Sequence, residues 1–178
     1  MTKALSPQSY TDRETDPGKT AAKRELRLIA LTGVPLVREG DDLCEIILSA
    51  LAHSGEQLQN GDVLVLAQKI VSKAQGCHVD LASVMPSPRA LELAKIVDKD
   101  ARVIELILRE SSEVLRARRD VIVVGHRLGF VMANAGIDFS NVEGNEHEAR
   151  ALLLPRDPDG ECRILYEGLR GRISADVG

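Results

Sequence analysis

The sequence predicts an α+β fold, on three observations. Leu43, Ile46, Ile47, Ala50 and Leu51 recur at i, i+3, i+4, i+7 and i+8, the spacing of a helix that buries one face. Apolar runs at residues 121–124 and 130–133 flank a turn bounded by Gly125 and Gly129, a β-hairpin pattern. Residues 62–67, Asp-Val-Leu-Val-Leu-Ala, follow Asn60-Gly61 as a short continuous apolar run and read as a buried strand. The expected architecture is a mixed sheet containing that strand and the hairpin, packed by flanking helices.

Each element has its own signal. Residues 1–26 mix Pro7, Pro17 and Gly18 with charged and hydroxyl side chains, without apolar periodicity, and are expected to form a disordered polar arm before a domain spanning 27–178. The run 28–31 starts as a strand that gives way to a loop at Pro35, which has no amide hydrogen to donate. Asp41 or Asp42 caps the helix at 42–55. Ser87-Pro88 is a cap with proline at the first helical position, and Ala90, Leu91, Ala94 and Val97 continue one face of a helix at 88–98. Asp100 caps a further helix at 101–112, with Val103, Ile104, Ile107 and Leu108 as its stripe and residues 110–113 as its solvated end. Asp157-Pro158 repeats the start signal, and Ile164, Leu165 and Leu169 mark the last helix.

Composition removes several function classes. A chain of 178 residues with 44% apolar content holds one domain with a proper core, built from aliphatic residues because only two Phe and two Tyr are present. Stacking platforms for single-stranded nucleic acid are therefore lacking, and a net charge of −4 gives no concentrated positive field. Arg116, Arg118 and Arg119 read as a solvated edge or turn. Cys44, Cys77 and Cys162 are odd in number and widely spaced, against both a disulfide framework and a zinc site. No apolar run approaches the about 18 residues of a membrane span, and no secretory h-region opens the chain, so no membrane is expected as a partner and the cytoplasm is the expected location.

The chemistry-bearing residues gather in two places. Asn134, Asp138, Ser140, Asn141 and Glu143 put oxygen-bearing side chains between Gly136 and Gly144, or close to them, directly after a strand-like segment. Such groups suit a hard cation or a phosphate, and equally an ordinary turn in which Asn, Asp and Ser cap their own backbone. Gln68 and Lys69 stand at the end of the 62–67 run, and Lys73 shares a face with Lys69 if the chain turns helical there. Paired ammonium groups at a strand end suit a polyphosphate; a solvated lysine pair is the alternative. The P-loop signature, the G-x-S-x-G elbow and H-E-x-x-H are all absent. His53, His78 and His147 are isolated from one another and from cysteine.

Several ordered blocks carry a family resemblance. Gly33-Val34-Pro35-Leu36-Val37, Gly61-Asp62-Val63-Leu64-Val65 leading into Gln68-Lys69-Ile70-Val71-Ser72-Lys73-Ala74, and Pro86-Ser87-Pro88-Arg89-Ala90 come in turn. Asn134-Ala135-Gly136-Ile137-Asp138-Phe139-Ser140-Asn141-Val142 and Leu152-Leu153-Leu154-Pro155-Arg156-Asp157-Pro158-Asp159 follow. From about Leu28 to about Arg172 the chain resembles the coenzyme F420-0:γ-L-glutamate ligase family. The resemblance implies an F420:glutamate-ligase-like domain and a GTP-dependent amide ligase. Such an enzyme adds L-glutamate to coenzyme F420-0 through an acyl phosphate, in coenzyme F420 biosynthesis. It further implies Mg²⁺ or Mn²⁺, a monovalent cation and a homodimer. By position, Val34, Pro35, Leu36, Val37, Gln68, Lys69, Lys73 and Asn141 would contact GTP, and Asp138 would bind the metal. Family members continue with a strand leading to an Asp-Thr or Asp-Ser pair and a later Gln. This chain ends at Val177-Gly178, so the expectation is an apparently truncated domain that does not ligate alone. The alternative is a non-catalytic remnant serving as a nucleotide-binding or subunit-interaction module.

Overall fold

The computed structural model describes residues 25–138 and 150–178. Contacts divide the chain into Met1–Ala30 and Leu31–Gly178. Of the first unit only residues 25–30 are described, and they carry no regular secondary structure. The 28–31 strand expected from the sequence is therefore not formed: an apolar run that finds no partner strand has no ladder to join.

The second unit is α+β. Helix α1 (Leu43–Ser54) starts where Asp42 accepts hydrogen bonds from the amides of Cys44 and Glu45, and stops at Gly55 in the left-handed conformation. Helix α2 (Gln68–Ala74) leads to strand β1 (His78–Asp80). Helices α3 (Pro88–Val97) and α4 (Ala101–Arg109) are capped by Ser87 and Asp100, the residues the sequence nominated. Strands β2 (Ser111–Arg118), β3 (Val121–His126) and β4 (Val131–Ala133) form an antiparallel sheet in that order, and β1 pairs antiparallel with β5 (Arg150–Leu152). Helix α5 (Pro158–Arg170), capped by Asp157, closes the order.

Two apolar clusters hold these elements. The larger joins Ala90, Leu93 and Val97 of α3 and Ile104 and Ile107 of α4 to the inward row Ile122 and Val124 of β3, together with Ile137 and Ala151. Each such aliphatic side chain contributes about 1.5–3 kcal/mol when fully buried. The smaller joins Cys44, Ile47 and Leu51 of α1 to Leu169 of α5, with Leu64, Leu66 and Leu165 against it.

The expected helix at 101–112 ends at Arg109, and of the residues read as its solvated end Glu110 caps it while Ser111, Ser112 and Glu113 open β2. The sequence concealed that strand because its register shifts between Ser111 and Glu113 and again between Val114 and Arg116. Those bulges bring Val114 and Ala117, three residues apart, onto the larger core, so the period-two pattern of a strand is lost. Arg116 and Arg118 stand exposed on this edge strand. The two-stranded β1–β5 sheet was also unforeseen, since three-residue strands are too short to show alternation.

Residues 62–67 are extended but join neither sheet, and they are not buried as expected. Leu64 donates to the Gly178 carbonyl and Gly178 to that of Asp62, each at 2.8 Å. Leu64 and Leu66 pack on the smaller cluster, whereas Val63 and Val65 are 70% and 89% exposed. An extended chain sends successive side chains to opposite faces, and a run apolar on both does not reveal that only one is covered. Ile164, expected in the apolar face of the last helix, likewise points outward. All pairings among the described residues are antiparallel, where a mixed sheet was expected.

Candidate functional site

Two segments distant in sequence meet beside α2. Residues 62–67 run straight into that helix, with Ala67 extended at the cap position, so Lys69 lies in its first turn and Lys73 in its last. Lys69 and Lys73 share a helix face by their spacing. The Gln68 side-chain amide donates to the hydroxyl of fully buried Ser72 at 2.7 Å and to the Leu153 carbonyl at 3.5 Å. This fixes the start of α2 against the residue that follows β5.

The other segment arrives through an unusual turn. After β4, Asn134, Ala135 and Gly136 all take positive φ, of 52°, 51° and 65°. A left-handed alanine costs about 1–2 kcal/mol. Burial of Ala135 in the larger core and a hydrogen bond from Lys99 Nζ to Asn134 Oδ1 at 3.0 Å hold the turn in place. The chain then reaches Asp138, whose amide and carbonyl both pair with Leu152 at 3.0 Å. Asp138 is thereby pinned by its backbone, and its carboxylate forms an ion pair with Lys69 Nζ. Asn141, with Ser140 and Glu143, lies outside the described residues.

Residues 33–37 lead toward the far end of α2. Gly33 has φ +75°, and a Cβ there would stand 2.7 Å from Cδ2 of the His53 ring, so only glycine lets this segment cross the last turn of α1. Val34, Pro35 and Leu36 are exposed and Val37 is buried. The segment is tied down by Arg38 N donating to Asp41 Oδ2 at 2.8 Å and by Gly40 N donating to the Ala74 carbonyl at 2.9 Å. Of the residues nominated from the sequence, the structure thus brings Lys69 and Asp138 into contact and sets Gln68 one residue away on the same helix, while Gly40, three residues after Val37, is tied to the end of that helix.

Among the described residues no three His, Cys, Asp or Glu side chains stand close enough to hold a metal ion. The Asp138 carboxylate is the kind of donor a hard cation takes, since Mg²⁺ sites use one or two carboxylates and complete themselves with phosphate and water.

A second feature was not nominated from the sequence. A cleft of about 290 Å³ is lined by residues 76–79 together with Glu110, Arg127, Leu153, Leu154 and Arg156. Arg127 is anchored by its Nε on Glu110 Oε2 at 2.9 Å and by its backbone amide on the Glu110 carbonyl, also at 2.9 Å. Behind Glu110, the fully buried His126 stacks on Phe130 and accepts from the Leu128 amide at Nδ1. Its Nε2 faces Glu110 Oε2 at 3.7 Å and has no hydrogen-bond partner among the described residues. Burial pulls the His126 pKa below its ordinary value, against the opposing pull of Glu110. Burial pushes the Cys77 thiol upward. Arg127 and Glu110 are 17 residues apart and meet only because β2 and β3 pair, which the sequence did not show.

Fold and site together define an α+β domain with an ammonium–carboxylate pair between the first turn of α2 and the β5 edge. The chain belongs to the F420-0:gamma-glutamyl ligase family, whose model matches residues 33–178. It is 47% identical over 145 residues to the coenzyme F420:L-glutamate ligase of Methanothermobacter thermautotrophicus, covering 82% of this chain and 56% of that protein. The same-named protein of Methanopyrus kandleri is 43% identical over 156 residues, with 86% and 58% covered. That of Archaeoglobus fulgidus is 40% identical over 148 residues, with 83% and 54% covered. The chain thus spans little more than half the length of the curated relatives it matches.

Proposed function

We propose that this chain supplies the nucleotide-phosphate side of a GTP-dependent ligase that joins L-glutamate to coenzyme F420-0. The observation that carries this reading is the Lys69–Asp138 pair, formed between residues far apart in a chain whose relatives bear that ligase name. Val34, Pro35, Leu36 and Val37 hold the guanine nucleotide through their backbone, and Gln68, Lys69, Lys73 and Asn141 line its phosphates. Positive side chains placed over the transferring phosphoryl group lower the cost of its developing charge, which is the principal protein contribution in such reactions. Asp138 takes the Mg²⁺ or Mn²⁺ that enters with the triphosphate; when bound, that ion neutralises phosphate charge. The coenzyme carboxylate attacks the γ-phosphorus, GDP departs, and the glutamate amine displaces phosphate from the acyl phosphate to leave an amide. A homodimer, a monovalent cation and a cytoplasmic location belong to the same reading. No helix among the described residues is long and apolar enough to cross a membrane.

The test is incubation of the purified chain with GTP, L-glutamate, coenzyme F420-0 and either divalent cation, read by product mass and by GDP release. A product heavier by one glutamyl residue supports ligation. A second reading, a module that binds nucleotide without turnover, draws on Asp138 being the one carboxylate that the sequence-nominated, described residues bring to Lys69. Saturable GTP binding with no product favours it, and neither product nor GTP binding sinks both.

A further inference from the structure

We propose that Lys99 is a positioning residue for the carboxylate assigned to the metal: its ammonium, acting through Asn134, sets the turn that aims Asp138. This rests on the ligase reading, in which Asp138 takes the divalent ion that enters with the triphosphate. Lys99 stands in the corner between α3 and α4. Asp98 before it is the left-handed C-cap of α3, and Asp100 after it caps α4. Its amide donates to the Ala94 carbonyl at 3.2 Å, and the Val97 carbonyl accepts from the Asp120 amide at 2.8 Å. Val97 and Ile104, on either side of the corner, are fully buried in the larger core. The half-buried Lys99 side chain therefore starts from a fixed point, and its Nζ ends on Asn134 Oδ1 at 3.0 Å, 35 residues away in sequence.

The turn at the other end needs such a hold. Asn134 and Ala135 carry side chains and yet take φ of 52° and 51°, a conformation that L residues disfavour. Ala135 and Ile137 are buried in the same core as Val97, so Lys99 ties two parts of one core to each other. Beyond Asn134 the chain has little slack. The Ile137 amide donates to the Asn134 carbonyl at 3.1 Å, a Cβ on Gly136 would stand 2.6 Å from Met132 Cε, and Asp138 pairs at once with Leu152. A rotation at Asn134 is therefore passed on to Asp138 rather than absorbed between them. Misplacing a ligand-bearing group by about 1 Å is enough to lose much of its effect.

Two measurements on the 178-residue chain test this. Amide hydrogen exchange reads the turn without any ligand: in Lys99→Met the Ile137 and Asp138 amides should exchange roughly fivefold faster, the effect of losing one hydrogen bond, while the Ile46 amide of α1 is unchanged. Titration with a non-hydrolysable GTP analogue reads the site. The gain in affinity that Mg²⁺ confers should fall by roughly three- to tenfold in Lys99→Met, whereas affinity in EDTA stays within about twofold. Lys99→Arg keeps a charged donor and should restore both readouts. Asn134→Gly accepts the left-handed conformation but removes the oxygen that Lys99 holds, so adding Lys99→Met to it should change nothing further. A further loss in that double variant would mean that the Lys99 charge acts directly, and overturns the proposal, as does unchanged exchange at both amides in Lys99→Met. A wild type indifferent to Mg²⁺ sinks the metal reading of Asp138 and this role with it; equal responses to Mg²⁺ in wild type and Lys99→Met sink this role alone.

Discussion

The ammonium of Lys69 and the carboxylate of Asp138 form an ion pair, with side chains 34% and 20% exposed. Any cation that takes Asp138 must share this carboxylate with Lys69 or displace it. Under the proposed nucleotide reading, Lys69 competes with a divalent ion in the nucleotide-free protein, and incoming phosphate relieves the competition by giving Lys69 another anion.

Lys69→Ala should accordingly act in opposite directions on two ligands. A partly exposed pair is worth about 0.2–1 kcal/mol, so Mn²⁺ binding without nucleotide should tighten by roughly 1.4- to fivefold. GTP binding should weaken in the same variant. Paramagnetic relaxation by Mn²⁺ and a nucleotide titration read the two effects, and weaker Mn²⁺ binding in the variant would contradict the competition.

Gly33→Ala should displace residues 34–37. The added Cβ meets the His53 ring at 2.7 Å, and φ of +75° is unfavourable for any L side chain. We expect about 1–3 kcal/mol of lost stability and clear loss of guanine-nucleotide affinity. Adding His53→Ala removes the clash but not the dihedral cost, so it should restore part of both. No recovery in the double variant would mean that His53 is not the obstacle.

His126 should make stability depend on pH. Its folded-state pKa is lowered by burial, so as pH falls below the ordinary value of about 6.5 the unfolded chain takes up a proton that the folded chain refuses. Stability is full above that value and declines until the lowered folded pKa is reached. Asp100 contributes in a separate window: its carboxyl is held low by the Arg102 side chain, and the stability it lends is lost as pH falls below about 4. Urea unfolding from pH 7.5 to 5 should show a decline in wild type that is reduced in His126→Phe, which keeps the stacking on Phe130. An identical slope in both proteins would remove His126 as its source.

The helices were legible because their caps and stripes are local. Asp42, Ser87, Asp100 and Asp157 each accept the amide bonds that their positions foretold. Strand β2 was hidden by two bulges, and residues 62–67 were misplaced because Val63 and Val65 are apolar yet face outward. The Lys69–Asp138 contact could be assembled only from the resemblance, since no spacing within the chain links α2 to the turn after β4. The Glu110–Arg127 contact had no such aid, because it depends on the pairing of a strand that was itself unseen.

Asp138→Asn separates the structural role of this residue from its chemical one. Both backbone hydrogen bonds to Leu152 survive the change, as does the left-handed turn that delivers residue 138. What is lost is the charge, and with it the pair to Lys69, so destabilisation should stay within about 1 kcal/mol. An amide retains an oxygen donor but cannot neutralise a divalent ion, so the gain in GTP affinity that Mg²⁺ confers should fall by roughly tenfold or more. GTP affinity measured in EDTA should change little, or rise, because Lys69 no longer faces the Asp138 charge that competes with the phosphates. Titrations with and without Mg²⁺ read both numbers on one preparation. If the Mg²⁺-dependent gain is the same in Asp138→Asn as in wild type, Asp138 is a partner for Lys69 and nothing more, and the cation must be held by other groups.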